Sequence, residues 1–301
     1  MKKNFLLTII ICLGFFNIHA QRWKAERNTL VFGVGMTQFM GDLGGGSKDA
    51  AHFFGVRDIN FDKTRPYISA KFRYRILEDV AAKAGISWGI IAGSDATSGS
   101  EGRRLRNLSF TSNIWEFNLQ GEYYFIKEKA NPRYSFSSLR SIRNFSAYVF
   151  TGVTFLYFNP KAEYNGVKYE LQPLGTEGQG IGDNPAPYSK FAIGLPIGLG
   201  AKYNLTRELA IGIEISNTYT TSDYLDDAHD SYYDNESIRS TYGDIAAELA
   251  DRHLNPDGTD APPYESGKTM RGNPDYNDAY ILTVITLTYK LKRNVSGLPK
   301  F

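Results

Sequence analysis

The chain has 301 residues, with 34 Lys and Arg against 32 Asp and Glu, and loss of Lys2 and Lys3 with an amino-terminal leader would balance the two. No basic surplus then argues for nucleic acid, and with the one cysteine, Cys12, inside that leader, the rest of the chain has no disulfide or thiolate chemistry. The composition is instead rich in Tyr (20), Phe (19) and Gly (29), which suits aromatic girdles and curved strands, either in a membrane barrel or in a soluble periplasmic β-sandwich.

Lys2 and Lys3, the apolar run at residues 5–16 and the small Ala20 predict a secretory signal peptide over residues 1–20, cleaved before Gln21. Cys12 follows Ile11 rather than a small residue, so it does not read as a lipidation site. The run is short for a membrane helix and no later run reaches about eighteen apolar residues, so a crossing by residues 21–301 would use strands.

The first strand is expected at residues 28–42, where Leu30, Phe32, Val34 and Met36 alternate with Val31, Gly33, Gly35 and Thr37. Residues 43–65 read as a loop. The second strand, 67–76, places Lys71, Arg73 and Arg75 on one face and Ile68, Phe72, Tyr74 and Ile76 on the other. Three cations on one face do not suit a dry sheet, but they suit a lumen that holds partner carboxylates. Only Leu77, Glu78 and Asp79 separate it from the third strand, 80–93, which turns Ala82, Ala84, Ile86, Trp88 and Ile90 outward. Residues 94–109, with Arg103, Arg104 and Arg106, read as a surface loop.

The fourth strand, 114–125, alternates most clearly. Ile114, Glu116, Asn118, Gln120 and Glu122 share one face, and Trp115, Phe117, Leu119, Tyr123 and Phe125 share the other. A basic connection at 126–143 leads to a fifth strand at 144–158. The sixth, 191–203, sets Phe191, Ile193, Leu195, Ile197 and Leu199 outward against the small Ala192, Gly194, Pro196, Gly198 and Gly200. After a turn at 204–207, the seventh faces Leu209, Ile211, Ile213 and Ile215 outward and Glu208 and Glu214 inward. The eighth, 279–291, aligns Ile281, Ile285, Leu287, Tyr289 and Leu291.

The expectation is an all-β fold: an eight-stranded antiparallel transmembrane β-barrel of OmpA-like size with long outer loops, seated in outer-membrane lipid. Eight strands enclose a space that side chains fill, so a wide pore is not expected. The expected filling is Lys71, Arg73, Arg75, Lys83, Lys202 and Lys290 against Glu116, Glu122, Glu208 and Glu214. Buried charges persist only when paired, so this set reads as packing rather than catalysis.

Residues 159–190 and 222–276 are too long to be mere connections and should hold what is specific to the protein. Ile245, Ala246 and Leu249 mark a short amphipathic helix at 245–253, either a cap on the barrel mouth or a loosely packed loop helix. Asp223, Asp226, Asp227 and His229 admit turn formation, calcium ligation or activation of water. Their spacing lacks an EF-hand's alternation and twelfth-position Glu, and no second carboxylate pair is identified, so turn formation is preferred. His52 and His253 have no partner at metal-ligand spacing. No catalytic residue, metal or cofactor is expected.

The blocks Thr221-Ser222-Asp223-Tyr224-Leu225-Asp226-Asp227 and Thr176-Glu177-Gly178-Gln179-Gly180, with Arg271-Gly272-Asn273, Phe32-Gly33 and Gly41-Asp42-Leu43, resemble the PorG family of the type IX secretion system of Bacteroidetes. The resemblance spans nearly the whole chain after the leader. It implies a non-enzymatic outer-membrane barrel that associates with the periplasmic ring of PorK and PorN, in a machine that exports surface proteins and supports gliding.

By parity from a periplasmic amino terminus, the turns at 77–79 and 204–207, the loop 126–143 and the tail 292–301 lie on the inner side. The loop and the tail are the larger, and both are basic, with Arg140 and Arg143 in one and Lys292, Arg293 and Lys300 in the other. Basic groups would steer encounter, while Tyr134, Phe136, Leu298 or Phe301 would supply an apolar anchor. Contact with anionic headgroups or solvent is the competing use of these cations.

Overall fold

The structure is a computed structural model that describes residues 27–43, 63–127 and 144–291 and, as backbone, 292–293 and 299–300. The expected leader, His52, Tyr134, Phe136, Arg140, Arg143, Leu298 and Phe301 lie outside the described residues.

Eight long strands form the wall: β1 (Asn28–Met40), β2 (Arg65–Arg75), β3 (Val80–Ser94), β4 (Ser109–Ile126), β5 (Phe145–Tyr164), β7 (Phe191–Asn204), β8 (Leu209–Thr220) and β9 (Ala279–Lys290). They run β4-β3-β2-β1-β9-β8-β7-β5, and the pairing of β4 with β5 closes the ring. Every pairing is antiparallel. A closed ring leaves no strand edge unpaired, which is the condition for a sheet to stand in hydrocarbon. Two ladders are irregular: β4 and β5 shift register between Tyr124 and Ile126, and β5 and β7 pair at Thr151 with Ile197 and again at Thr154 with Gly194, with Pro196, which has no N–H to donate, in the gap.

The wall is turned inside out relative to a soluble sandwich. Val34, Ile86, Leu199 and Ile285 are at least 60% exposed, and Phe32, Phe72, Trp115, Phe117, Phe155, Ile197, Ile213 and Leu287 join them in a continuous apolar belt. Soluble monomers rarely expose contiguous apolar patches beyond a few hundred Å², whereas lipid favours an apolar outer wall. The opposite register of the same strands is buried and polar, with Lys71, Arg73, Lys83, Glu116, Asn118, Glu122, Lys202 and Glu214 inside.

The links differ in kind at the two ends. Turns at residues 76–79 and 205–208 close one end, while residues 95–108, 165–190 and 221–278 fold over the other. Two expectations change here. Strand β5 runs six residues past its expected end and pairs with an added strand, β6 (Val167–Glu170), across Asn165-Gly166, both with positive φ. Asn-Gly favours this two-residue hairpin turn. Residues 94–109 are not a plain surface loop: they hold a helix, α1 (Glu101–Arg106), and the start of β4, and Arg106 is drawn inward. Helices α2 (Asn235–Tyr242) and α3 (Asp244–Ala250) lie in the last long loop. Short strands β10 (Lys292–Arg293) and β11 (Pro299–Lys300) pair with each other.

Candidate functional site: a filled lumen beneath a loop cap

The lumen is stacked in layers. Nearest the short turns, the Arg75 guanidinium and the Lys202 ammonium lie 5.1 and 5.2 Å from the centre of the Tyr124 ring. Above this, Lys83 Nζ stands 3.0 Å from Glu122 Oε1 and 2.8 Å from Glu214 Oε1, and Arg73 Nε is 2.7 Å from Glu122 Oε2. The Tyr124 hydroxyl donates to Glu122 at 2.8 Å and the Tyr148 hydroxyl donates to Glu214 at 2.6 Å. Two cations, two carboxylates and two phenols thus pair out of water, with Arg73 Nη1 left without a hydrogen-bond partner among the described residues. Lys71 is buried beside this set and Lys290 is buried near its lower end.

Two expected members behave differently. Glu116 is held by hydroxyls rather than by a cation: Tyr67 donates at 2.7 Å, Tyr280 donates to its other oxygen, and Asn118 Nδ2 approaches at 3.3 Å. Glu208 keeps the inward parity of Ala210 and Glu214 but lies half-buried in the turn before β8, short of the strand. The four tyrosines were the missed part of the lumen. Their signal was register, since Tyr67 and Tyr124 share parity with Arg73 and Glu122 on their own strands.

Above Glu116 the lumen becomes apolar. Tyr67, Ile91, Phe110, Ile114, Leu156, Phe158, Tyr280 and Leu282 form one cluster with the loop residues Leu43, Leu108, Leu171, Leu225, Ala228 and Leu249. Leu249 belongs to α3, so the amphipathic segment near residue 245 is a cap. Ala246, Ala247 and Ala250 of α3 pack on Ile238 of α2.

Of the residues quoted for the family resemblance, the loop blocks converge in this cap, while Phe32 and Gly33 lie in β1 of the wall. Arg271 lies 3.1 Å from Glu177 Oε1 and 3.2 Å from Asp227 Oδ2, donates to the Asp227 carbonyl, and reaches the Ala250 carbonyl at 3.2 Å. Thr176 and Tyr188 donate to Asp227 at 2.5 and 2.6 Å. Asp227 sits at φ 70°, a left-handed conformation that a non-glycine residue keeps only where its surroundings hold it. Gly178 also has positive φ, and a Cβ there would enter the Tyr233 ring. A Cβ at Gly272 would strike the backbone of Ala228 and His229, so the Arg271-Gly272 pair lets two loop segments touch.

A second knot ties the cap to the wall. Arg106 binds Asp95 through two nitrogens, at 2.7 and 2.9 Å, and donates to the carbonyls of Arg271 and Asp42, both at 2.6 Å. Asp226 accepts from Leu43 N and Ala228 N, Asp42 from Asn273 N, and Asp278 from Leu225 N. Tyr224 stacks on Tyr188 at 4.3 Å, and Leu225 is fully buried. Thr221 closes the top of β8 by donating its N–H to Ile193. Arg106, read in the sequence as part of a surface loop, is instead the hub of this knot, and Asp95, Tyr188 and Asp278 were not singled out, since the bonds that recruit them mostly join distant segments.

The Asp223, Asp226, Asp227 and His229 group is brought together only in part. His229 Nδ1 is 2.7 Å from Asp223 Oδ2, while Asp226 and Asp227 turn to different partners. Burial and neighbouring carboxylates push Asp223, Asp226 and Asp278 above the usual carboxylate range. Among the described residues no group of three or more His, Cys, Asp or Glu is arranged to hold a metal ion.

Glu177 gives a pH prediction. Burial raises it from 4.5 to about 7 despite Arg271 and the backbone donor of His229. The folded state therefore binds this proton more tightly than the unfolded state. The associated stability is full below about 4.5 and is lost as pH rises through about 7. Unfolding in urea at pH 5 and pH 8 should show the wild type less stable at pH 8 by up to about 3 kcal/mol from this group. Glu177→Gln should flatten that part of the profile.

A family model described as "Domain of unknown function (DUF6089)" matches residues 3–249. Among curated proteins none matches the chain. Solved structures similar to it include the N-terminal β-barrel domain of Pseudomonas aeruginosa OprF (8% identity, 88% of this chain and 97% of that one, TM-score 0.34). Neisserial surface protein A (NspA) matches at 6% identity over 87% and 96%, with TM-score 0.38. E. coli Outer Membrane Protein W matches at 12% over 88% and 98%, with TM-score 0.34.

Proposed function

The chain belongs to the family described as Domain of unknown function (DUF6089), and from that starting point we propose that this member is a non-enzymatic outer-membrane β-barrel that serves assembly of the type IX secretion and gliding machinery. The observation that carries the non-enzymatic part is the use made of Thr176, Glu177, Asp227 and Arg271: all four are buried and bonded to one another. They hold the cap shut and present no group to a substrate. The PorG resemblance supports the partners, PorK and PorN, and parity from a periplasmic amino terminus favours the short-turn end as the periplasmic one. At that end Leu77 and Leu205, at the turn tips, are 54% and 57% exposed, and apolar tips of this kind can anchor a partner among basic groups.

Photo-crosslinkers at Leu77 and Leu205, and at Phe136 and Leu298, should capture PorK or PorN. Met270 and Tyr276, exposed in the cap, serve as the opposite-face control. Capture only from the cap positions would reverse the proposed docking face. Recovery of the protein as a soluble periplasmic species would sink the membrane reading itself.

A second reading, a hydrolase on the barrel rim, has one observation in its favour. The His229 imidazole is part-exposed and paired with a buried Asp223, an arrangement that can orient a base. A rim hydrolase should lose turnover in His229→Ala while the barrel still assembles.

A further inference from the structure

On the outer wall toward the cap, β4, β5 and β7 form a groove of about 580 Å³ lined by Trp115, Phe117, Phe155, Tyr157, Phe191 and Ile193. Phe117 stacks on Phe155 at 6.4 Å and Tyr157 tilts against Phe191 at 5.2 Å. Phe191, at the top, is 71% exposed.

The same face turns cationic where the groove ends. Asn159 and Lys161 continue the outward register of Phe155 and Tyr157, and Lys190 precedes Phe191. Lys161 Nζ lies 3.0 Å from one oxygen of Glu170, Lys190 Nζ lies 3.1 Å from the other, and Asn159 Nδ2 donates to the first at 2.8 Å. These donors hold Glu170 down at about 2, so it is ionised, and two ammonium groups share one carboxylate. Glu163 and Lys168 stand opposite each other on the adjacent rungs and offset one another. Arg252 reaches the outward Ser109 Oγ at 3.3 Å and has no carboxylate at ion-pair distance among the described residues. The rim therefore keeps a net positive charge.

We propose that this groove and its rim bind a phosphorylated lipid of the leaflet at the cap end. One acyl chain lies along the aromatic groove and the headgroup phosphate meets Lys161 and Lys190. An amphiphile matches this order: the apolar trough leads from Tyr157 within four strand residues, roughly 13 Å, to the fixed positive charge of Lys161. Aromatic rings and lysines occupy the corresponding depths of a bilayer interface. The inference rests on the membrane reading above.

The test uses the full chain in a neutral detergent, mixed with dioleoylphosphatidic acid or dioleoylphosphatidylcholine, with retained lipid counted by native mass spectrometry. The wild type should retain the phosphatidic acid in preference. Lys161→Gln with Lys190→Gln should lower that retention about tenfold, while Lys161→Arg with Lys190→Arg keeps it. Phe155→Ala with Phe191→Ala should lower retention of both lipids, and Arg207→Gln at the other end should change nothing. Unchanged retention in the double-Gln variant overturns the site. Displacement by millimolar inorganic phosphate, with the Phe variants unaffected, also overturns it and leaves a free-phosphate site. So does loss of preference only when a protein partner is added, which marks a protein-docking surface. Heat-modifiable gel migration of each variant reports folding separately. A wild type that neither shows it nor enters liposomes rejects the membrane reading rather than the lipid site.

Discussion

Lys83→Met is expected to destabilise the barrel by about 3–5 kcal/mol, because it removes the one ammonium that bridges two buried carboxylates. Lys83 is 1% exposed and lies within 3.0 Å of both Glu122 and Glu214. Arg73 would remain at 2.7 Å from Glu122 but at 3.5 Å from Glu214, so Glu214 becomes the stranded charge. Adding Glu214→Gln should recover much of the loss, since a neutral amide still accepts from Tyr148. Urea unfolding in lipid vesicles, read by loss of the fast-migrating folded band, checks both variants. A loss below about 1 kcal/mol for Lys83→Met would mean that water reaches this layer and that the lumen is not filled as described.

Arg271→Met is expected to cost a similar amount, about 3–4 kcal/mol, confined to the cap. The variant leaves Glu177 and Asp227 buried without their cation and removes donors to the carbonyls of Asp227 and Ala250. Proteolysis within residues 221–278 should accelerate while the folded barrel band persists. The barrel ladders share no bond with this guanidinium. Arg271→Lys should rescue only in part, because one ammonium cannot span the two carboxylates and two carbonyls that the guanidinium reaches. Equal protease resistance in Arg271→Met would show that apolar packing of Leu225, Ala228 and Leu249 suffices to hold the cap.

The wall was legible in the sequence because a strand's side chains alternate and a membrane reverses the usual sense of that alternation. Trp115 and Glu116 are neighbours in sequence, yet one faces out and the other is buried, and the same holds for Phe72 against Arg73 and Ile213 against Glu214. Which carboxylate meets which cation was not legible, since that depends on chords across the ring. Glu116 looked like a partner for lysine and instead accepts from Tyr67 and Tyr280, which approach from β2 and β9. The Asn165-Gly166 turn carries a local hairpin signal, since both residues adopt positive φ. The cap was legible only as a set of blocks with some specific purpose. Bonds such as Asn273 N to Asp42, 231 residues apart, leave no trace in local spacing.

A closed, side-chain-filled barrel that stands in a membrane should conduct nothing, which single-channel recording in planar bilayers reads out. Barrels that show heat-modifiable migration after insertion should give no steady openings in the wild type. Steady, ion-sized openings from the wild type would contradict the packed lumen and, with it, the scaffold reading.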